Sequence, residues 1–192
     1  MSSCEKNYTL NMPRRPKTLT PEALWAIPRV GSPVSSPDGL MVAVGVTTHE
    51  NPKGEPRTRS WLITGNKPHP LTRPDEDASP AAFSPDSLSL ALVRQVPREG
   101  KDKGRLPQIA MLNLRGGEAP TLTSMPLGAH NPRFLPDGSL IFSAPLLAEA
   151  PSVEGTRKLL AEREGQTLPI CSESRLYRFW DHWIAGGKVI HI

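Results

Sequence analysis

The sequence is poor in cysteine, in aromatic residues and in long apolar runs. Its two cysteines, Cys4 and Cys171, lie far apart in a chain of 192 residues. They indicate free thiols in a reducing compartment more than a disulfide framework. No stretch approaches the roughly 20 apolar residues of a transmembrane helix, and residues 1–17 lack the apolar core of a signal peptide. We therefore expect a cytoplasmic protein without a membrane span.

The charge pattern gives little support for nucleic-acid binding. The net charge is +4, and the densest basic run, from Arg94 to Arg105, alternates with Glu99, Asp102, glycine and proline. Nucleic-acid binding would require a basic patch on a recognisable module. We interpret the run as a solvated loop between strands and expect no nucleic-acid partner.

Turn-forming residues are abundant instead. Glycine (15) and proline (22) make up about a fifth of the chain, against a usual total of about 12%. Hydrophobic residues account for 37%, which is too many for a wholly disordered chain. This composition favours a folded protein of short strands and many turns.

A Pro-Asp turn that continues with glycine or serine occurs three times, as Ser36–Gly39, Ser84–Ser87 and Leu135–Gly138. Proline presets φ for a β-turn, aspartate caps the turn, and glycine accepts a positive φ. The three prolines are 48 and 51 residues apart, and a β-prone apolar run comes after each turn. This period suits four-stranded propeller blades, whose repeats run about 40–50 residues.

Other parts of the repeat recur in step. Residues 60–72 and 109–123 each predict a third strand, a glycine turn and a fourth strand that ends in Leu-Thr. Phe83 and Phe134 precede their turns at the same position, and we interpret both as core residues rather than ligand contacts.

The sequence therefore predicts an all-β fold, an incomplete β-propeller of about three four-stranded blades. Residues 1–17 form a flexible tail, and Thr20 and Pro21 begin a short helix over 18–28 in which Leu24, Trp25 and Ile27 pack against a sheet. The blades span about 30–72, 79–123 and 130–192. An insertion over about 143–173, with a helix at 153–165, interrupts the third blade, and the final strand-like run stops in mid-fold.

No catalytic arrangement is predicted. The Gly-x-Ser-x-Gly motif of a nucleophile elbow is absent, because Ser32 and Ser139 have the wrong glycine spacing. The histidines are scattered among turns and strand ends, at His49, His69, His130, His182 and His191. Cys171, His182 and His191 fit no standard zinc spacing. We assign no catalytic, cofactor-binding or metal-binding residues.

Four aspartates are candidates for a functional role. Asp38, Asp86 and Asp137 recur in step with the turns, and we assign them to turn chemistry. Asp181 lies between Trp180 and Trp183 as the one acid of an aromatic cluster. A structural hydrogen-bond acceptor is favoured there over a substrate contact.

Two segments carry a family resemblance that covers residues 18–192. The opening Leu19–Trp25 with Arg29–Pro33, and the later run Ser174–Trp183, resemble the N-terminal propeller of the prolyl oligopeptidase family of serine peptidases, near its acylaminoacyl-peptidase and dipeptidyl-peptidase-like members. The resemblance implies a propeller that caps a C-terminal α/β-hydrolase domain and restricts access to short peptides. That domain would be the partner of this chain and would carry the catalytic triad. No match is found to the paired glutamates with which dipeptidyl peptidases hold a substrate N-terminus.

Two other functions stay open. A TolB-like or scaffolding propeller would bind protein partners through its face, although the export signal expected of a periplasmic TolB protein is not found. A non-functional pseudogene product is the third possibility. In each case the open strand edges predict poor solubility of the isolated chain.

Overall fold

The computed structural model describes residues 20–49, 54, 56–98, 104–164, 178–179, 182–183 and 188–192. They form a partial β-propeller, an all-β fold with three antiparallel blades and two helices. In chain order the elements are α1 (Pro21–Trp25), β1 (Arg29–Val30), β2 (Val34–Ser35), β3 (Met41–Thr48), β4 (Arg57–Thr64), β5 (Lys67–Pro70), β6 (Ala78–Phe83), β7 (Ser89–Pro97), β8 (Arg105–Asn113), β9 (His130–Phe134), β10 (Leu140–Leu147), α2 (Val153–Arg163), β11 (Arg178–Phe179), β12 (His182–Trp183) and β13 (Lys188–His191).

Blade one is a four-stranded antiparallel sheet whose first strand is divided into β1 and β2. Both halves pair with β3, which pairs with β4, and β4 pairs with β5. Between the two halves, the Gly31 amide donates to the Gly45 carbonyl at 2.8 Å. The first strand therefore runs beside β3 over most of its length.

Blade two pairs β6, β7 and β8 in sequence order. The predicted fourth strand is reduced to one bridge between Thr121 and Ala110, because Pro120 has no N–H to extend the ladder. The Leu122 amide still donates to the Ile109 carbonyl at 2.7 Å. The fourth position of this blade is occupied by a short, irregular segment.

Blade three pairs β9 with β10 and β10 with β13. β10 continues past residue 143, where the sequence predicts the start of the insertion, because Ala144, Leu146 and Leu147 are buried apolar residues. Residues 148–187 separate β10 from its partner β13. They include α2 and the two-stranded pair of β11 with β12.

Several sequence-based predictions lie outside the described residues. They concern the tail 1–17, Cys4, Cys171, Trp180, Asp181 and the middle of the basic run, residues 99–103.

The core lies between blades one and two. Leu90 and Leu92 of β7 are fully buried and pack with Ala43 of β3 and with Phe83 of β6. Phe83 is 6% exposed, so its prediction as a core residue is confirmed. Burial of these alternating apolar residues fixes the register of both sheets, because a one-residue slip would expose them.

Both helices have side-chain caps. Thr20 Oγ1 accepts from the Ala23 amide at 3.2 Å, and Ser152 Oγ accepts from the Gly155 amide at 3.0 Å. α1 is shorter than predicted, and two of its expected anchors, Leu24 and Ile27, are each 50% exposed. Their predicted packing against a sheet is wrong. No helix in the described part of the chain is long and apolar enough to span a membrane.

Candidate functional site

The three Pro-Asp turns lie at one end of the blades. Each turn joins the first strand of its blade to the second, and each blade is an antiparallel meander. The turns of neighbouring blades therefore meet at a common surface, which we call the turn face and define as residues 36–40, 84–88 and 135–139. A hydrogen bond from the Asp38 amide to Ser87 Oγ, 3.3 Å long, joins the first two turns directly.

The first two turns share one hydrogen-bond pattern. Ser36 Oγ donates to Asp38 Oδ1 at 2.6 Å, and the Met41 amide donates to Ser36 Oγ at 2.9 Å. Ser84 and Asp86 repeat this arrangement, with the Ser89 amide in place of Met41. In each turn the carboxylate also accepts the amide two residues later at 3.0 Å. The serine and the aspartate together satisfy the backbone donors of the turn.

In the third turn the hydroxyl that bonds to the aspartate follows it in the sequence instead of preceding it. This turn begins with Leu135, and the hydroxyl comes from Ser139, which donates to Asp137 Oδ1 through its side chain at 2.5 Å and through its amide at 2.9 Å. The Leu135 amide donates to the Ser139 carbonyl at 2.8 Å. The turn is therefore one residue shorter than the other two.

These hydrogen bonds lower the pKa of all three turn aspartates. The largest cause is the serine hydroxyl, from Ser36, Ser84 and Ser139 respectively, and the next is the backbone amide that each carboxylate accepts. Hydrogen bonds to the charged form favour that form. The carboxylates are ionised at neutral pH and act as fixed acceptors, which is unsuited to a general acid.

A cleft of about 400 Å³ opens between the second and third turns. It is lined by Ser84, Pro85, Asp86, Ser89, Met111, Phe134, Pro136, Asp137 and Gly138. Phe134 was predicted as a core residue, and it is partly buried at the wall of this cleft. The cleft combines apolar walls with two ionised carboxylates.

The second and third turns differ at one position. Ser87, with a φ of 58°, and Gly138, with a φ of 86°, occupy equivalent positions. The Ser87 hydroxyl spans the space between the first two turns, whereas Gly138 has no side chain to span the space between the second and third. Gly138 therefore cannot form with the second turn the hydrogen bond that Ser87 forms with the first.

The candidate residues for catalysis are dispersed. His69 lies on β5, His130 on β9 and His191 on β13, while His49 contacts the Trp25 ring edge-on at 5.1 Å between centroids. The backbone of His182 is on β12. Ser32 lies in the connection between β1 and β2.

No three His, Cys, Asp or Glu residues of the described chain are grouped as metal ligands. Ser139 is bonded to Asp137 within its turn, and its hydroxyl is therefore part of the turn structure. The described residues can bind through their surfaces but bring together no nucleophile with a base.

A buried hydrogen-bond network in blade two was not predicted. We call it the clasp and define it as Gln108, Thr123 and Met125. Gln108 is 6% exposed. Its Oε1 accepts from Thr123 Oγ1 at 2.7 Å and from the Met125 amide at 3.0 Å, and its Nε2 donates to the Met125 carbonyl at 2.8 Å. The sequence signal that could have revealed the clasp is the polar side chain of Gln108 within the mostly apolar strand β8. The clasp holds the connection between blades two and three.

The repeated Leu-Thr pairs have a common structural role. Leu71 and Leu122 donate their amides to the carbonyls of Ser60 and Ile109, at 2.9 and 2.7 Å. Thr72 and Thr123 accept the amides of the same two residues through Oγ1, at 3.0 and 2.9 Å. Each Leu-Thr pair fastens the end of the fourth segment to the third strand.

Comparisons with known proteins give a distant relationship. No protein-family model matches the sequence. The chain is 29% identical over 145 residues to the "Uncharacterized peptidase YuxL" of Bacillus subtilis (strain 168). The matched region covers 74% of this chain and 21% of that protein. The chain therefore spans about a fifth of the length of this curated relative.

Two solved structures are similar to this chain. The putative TolB from Agrobacterium tumefaciens has a TM-score of 0.39 and 16% identity over 65% of this chain and 55% of that one. TolB from Acinetobacter baumannii has a TM-score of 0.36 and 13% identity over 61% of this chain and 38% of that one.

Proposed function

We propose that this chain is the non-catalytic propeller portion of a cytoplasmic serine peptidase of the prolyl oligopeptidase family. The observation that carries the proposal is the 29% identity to a peptidase-named protein over 145 residues. The sequence of the helix with Arg29–Pro33 and the sequence run Ser174–Trp183 support the same family. Within the family, we place it with the acylaminoacyl-peptidase and dipeptidyl-peptidase-like members, which its sequence pattern resembles.

In this proposal the propeller acts by docking and gating. A C-terminal α/β-hydrolase domain supplies the triad, and the propeller admits short peptides to it. The described residues support a binding role because their ionised turn aspartates are held by hydrogen bonds and not poised for proton transfer. The blades would then control which substrates reach the catalytic domain.

A peptidase assay tests the first part of this proposal. The purified chain is expected to leave acyl-aminoacyl and dipeptidyl chromogenic substrates intact. The complete product of the gene is expected to cleave them and to lose this activity with a serine-directed inhibitor. Inhibitor-sensitive hydrolysis by the purified chain alone would contradict the non-catalytic role.

The alternative is a TolB-like or scaffolding propeller that binds protein partners. The cleft of the turn face favours it, because apolar walls beside carboxylates suit a protein ligand. The reading frame that encodes the complete protein distinguishes the two functions. An in-frame Gly-x-Ser-x-Gly motif would support the peptidase, and further blades without that motif would support the binding protein.

A further inference from the structure

Two of the three turns contain an Asp-Gly pair. These pairs are Asp38 with Gly39 and Asp137 with Gly138, whereas the second turn continues from its aspartate with Ser87. Asp-Gly is a reactive sequence, because glycine has no side chain to hinder attack of its own amide nitrogen on the neighbouring carboxyl carbon, and its backbone is conformationally free. No Asn-Gly pair occurs in the 192 residues. Spontaneous rearrangement of the main chain is therefore easiest at these two turns.

The rearrangement converts aspartate to isoaspartate. The glycine nitrogen forms a bond to Cγ of the protonated carboxyl group, and the hydroxyl leaves with the amide proton as water, which gives a succinimide ring. Water then reopens the ring. Cleavage of the bond between the nitrogen and the main-chain carbonyl carbon yields isoaspartate, whose main chain runs through Cβ and Cγ and is one atom longer. Neither an oxidant nor a second reactant other than water takes part.

The folded turns oppose this reaction. The Gly39 amide donates to the Ser36 carbonyl at 3.0 Å. The Gly138 amide donates to the Leu135 carbonyl at 2.9 Å. Oδ1 of each aspartate is also held by a serine hydroxyl and by the amide two residues later. Cyclisation requires these bonds to break, so the rate at each site follows the free energy of local opening of the turn.

The first turn has two restraints that the third turn lacks. Ser36 accepts a main-chain amide through Oγ at 2.9 Å, whereas Leu135 stands at this position of the third turn and has no hydroxyl. The Asp38 amide donates to Ser87 of blade two. Among the described residues, no following blade supplies such an acceptor to the amide of Asp137. The third turn therefore has fewer hydrogen bonds to lose when it opens.

Solvent also reaches the third turn more fully. Residues 135–139 are all exposed, whereas Ser36 in the first turn is 4% exposed. A hydrogen bond at an exposed position resists opening less than a buried one, because water replaces the lost partner. We therefore expect the third turn to open more often than the first.

We propose that Asp137 is the principal site of isoaspartate formation in this chain, ahead of Asp38, and that Asp86 is the least reactive of the three turn aspartates. The change alters the cleft of the turn face, because Asp137 and Gly138 line it. In isoaspartate the free carboxylate is attached to Cα rather than to Cβ, so one of the two carboxylates of the cleft is displaced. This inference does not depend on the proposed peptidase function.

Prolonged incubation of the purified, folded chain at neutral pH tests the proposal. Trypsin then releases Asp38 within residues 30–53 and Asp137 within residues 134–157. A methyltransferase specific for isoaspartate labels the altered peptides, and mass spectrometry quantifies them. Isoaspartate at Asp137 should accumulate about threefold faster or more than at Asp38. The chain unfolded in urea is the control and should react equally at both sites, because both have the same Pro-Asp-Gly sequence.

A matched pair of variants tests the cause. Ser139→Ala removes the hydroxyl that bonds to Asp137, and Ser36→Ala removes its counterpart at Asp38. Ser139→Ala should accelerate the reaction at Asp137 about twofold to fivefold and leave the rate at Asp38 unchanged. Ser36→Ala should have the converse effect. Circular dichroism should show that both variants remain folded.

Hydrogen exchange connects the rates to the opening of the turns. The amide of Gly138 should exchange faster than the amide of Gly39, by a factor similar to the ratio of the two isoaspartate rates. Equal accumulation at the two sites in the folded chain, or faster accumulation at Asp38, would overturn the proposal. So would a folded chain that forms no isoaspartate at Asp137 while the chain in urea does.

Discussion

Blades two and three start from nearly the same turn and differ in the segments after it. In blade two the chain runs directly into a buried sheet, and Gln108 clasps the exit from that sheet. In blade three residues 148–187 intervene before the third strand, and Ile141 of β10 is 40% exposed. The Pro-Asp turn therefore determines where the second strand of a blade begins. Packing against a neighbour determines how firmly the blade is held.

The largest expected difference lies in the core. Leu90 of β7 is fully buried, whereas Ile141 of β10 is 40% exposed. Leu90→Ala should lower the free energy of unfolding by about 2–5 kcal/mol and Ile141→Ala by about 1 kcal/mol. Urea unfolding at fixed protein concentration measures both. Equal losses would remove the distinction between the two blades.

The next effect concerns the clasp of blade two. Gln108→Leu leaves the amide and carbonyl of Met125, which is partly buried, without side-chain partners, so it should lower the free energy of unfolding by about 2 kcal/mol. Thr123→Ser keeps the hydroxyl that bonds to Gln108 and serves as the matched control, with a loss below about 1 kcal/mol. Hydrogen exchange of the Met125 amide should accelerate only in Gln108→Leu. An unchanged exchange rate in that variant would show that the clasp does not hold this connection.

A smaller effect distinguishes the turns themselves. Ser84 is 7% exposed and accepts the Ser89 amide at 2.9 Å as well as donating to Asp86. Ser139 is exposed and bonds its own turn aspartate through Oγ. Ser84→Ala should therefore cost about 1 kcal/mol and Ser139→Ala about half as much. Thermal unfolding of both variants checks the order, and a larger loss at Ser139 would reverse the comparison.

The smallest expected effect is a dependence on pH. The pKa of Asp38, Asp86 and Asp137 is lowered in the folded chain from the ordinary value of 3.8. The unfolded chain therefore binds protons more readily, and the stabilisation is present above 3.8 and lost as pH falls through the lower folded pKa values.

Unfolding curves at decreasing pH test this dependence. With all three turn aspartates replaced by asparagine, the free energy of unfolding should fall less steeply as the pH drops below the usual aspartate pKa. Asp75→Asn, at an aspartate outside the turn face, is the control, and its free energy of unfolding should keep the wild-type dependence on pH. A triple variant with the wild-type slope would show that the turns do not contribute to acid sensitivity.

The blades were predictable from sequence because their signals are local. The repeated Pro-Asp turns, the apolar runs after them and the Leu-Thr pairs all lie within short segments, and each corresponds to an observed element. Phe83 was predictable as a core residue from its position before the turn. Patterns of this kind depend on neighbouring residues, which sequence displays directly.

Features that depend on distant residues were not predictable. β13 pairs with β10 across residues 148–187, and no local signal specifies that partner. The hydrogen bond from the Asp38 amide to Ser87 joins residues 49 positions apart in sequence, and the cleft between the second and third turns is evident only when the turns are placed side by side. The pattern around Trp25 suggested a buried helix face, yet Trp25 is 41% exposed and contacts His49.

The connection between the second and third strands differs fivefold in length between blade one, residues 49–56, and blade three, residues 148–187. For a flexible chain, such an increase adds only about 1.4 kcal/mol to the entropy of loop closure. Blade three therefore offers a natural position for protein engineering. A foreign domain with closely spaced termini could be grafted there while the Pro-Asp turns, at the opposite end of the strands, keep the blade in register.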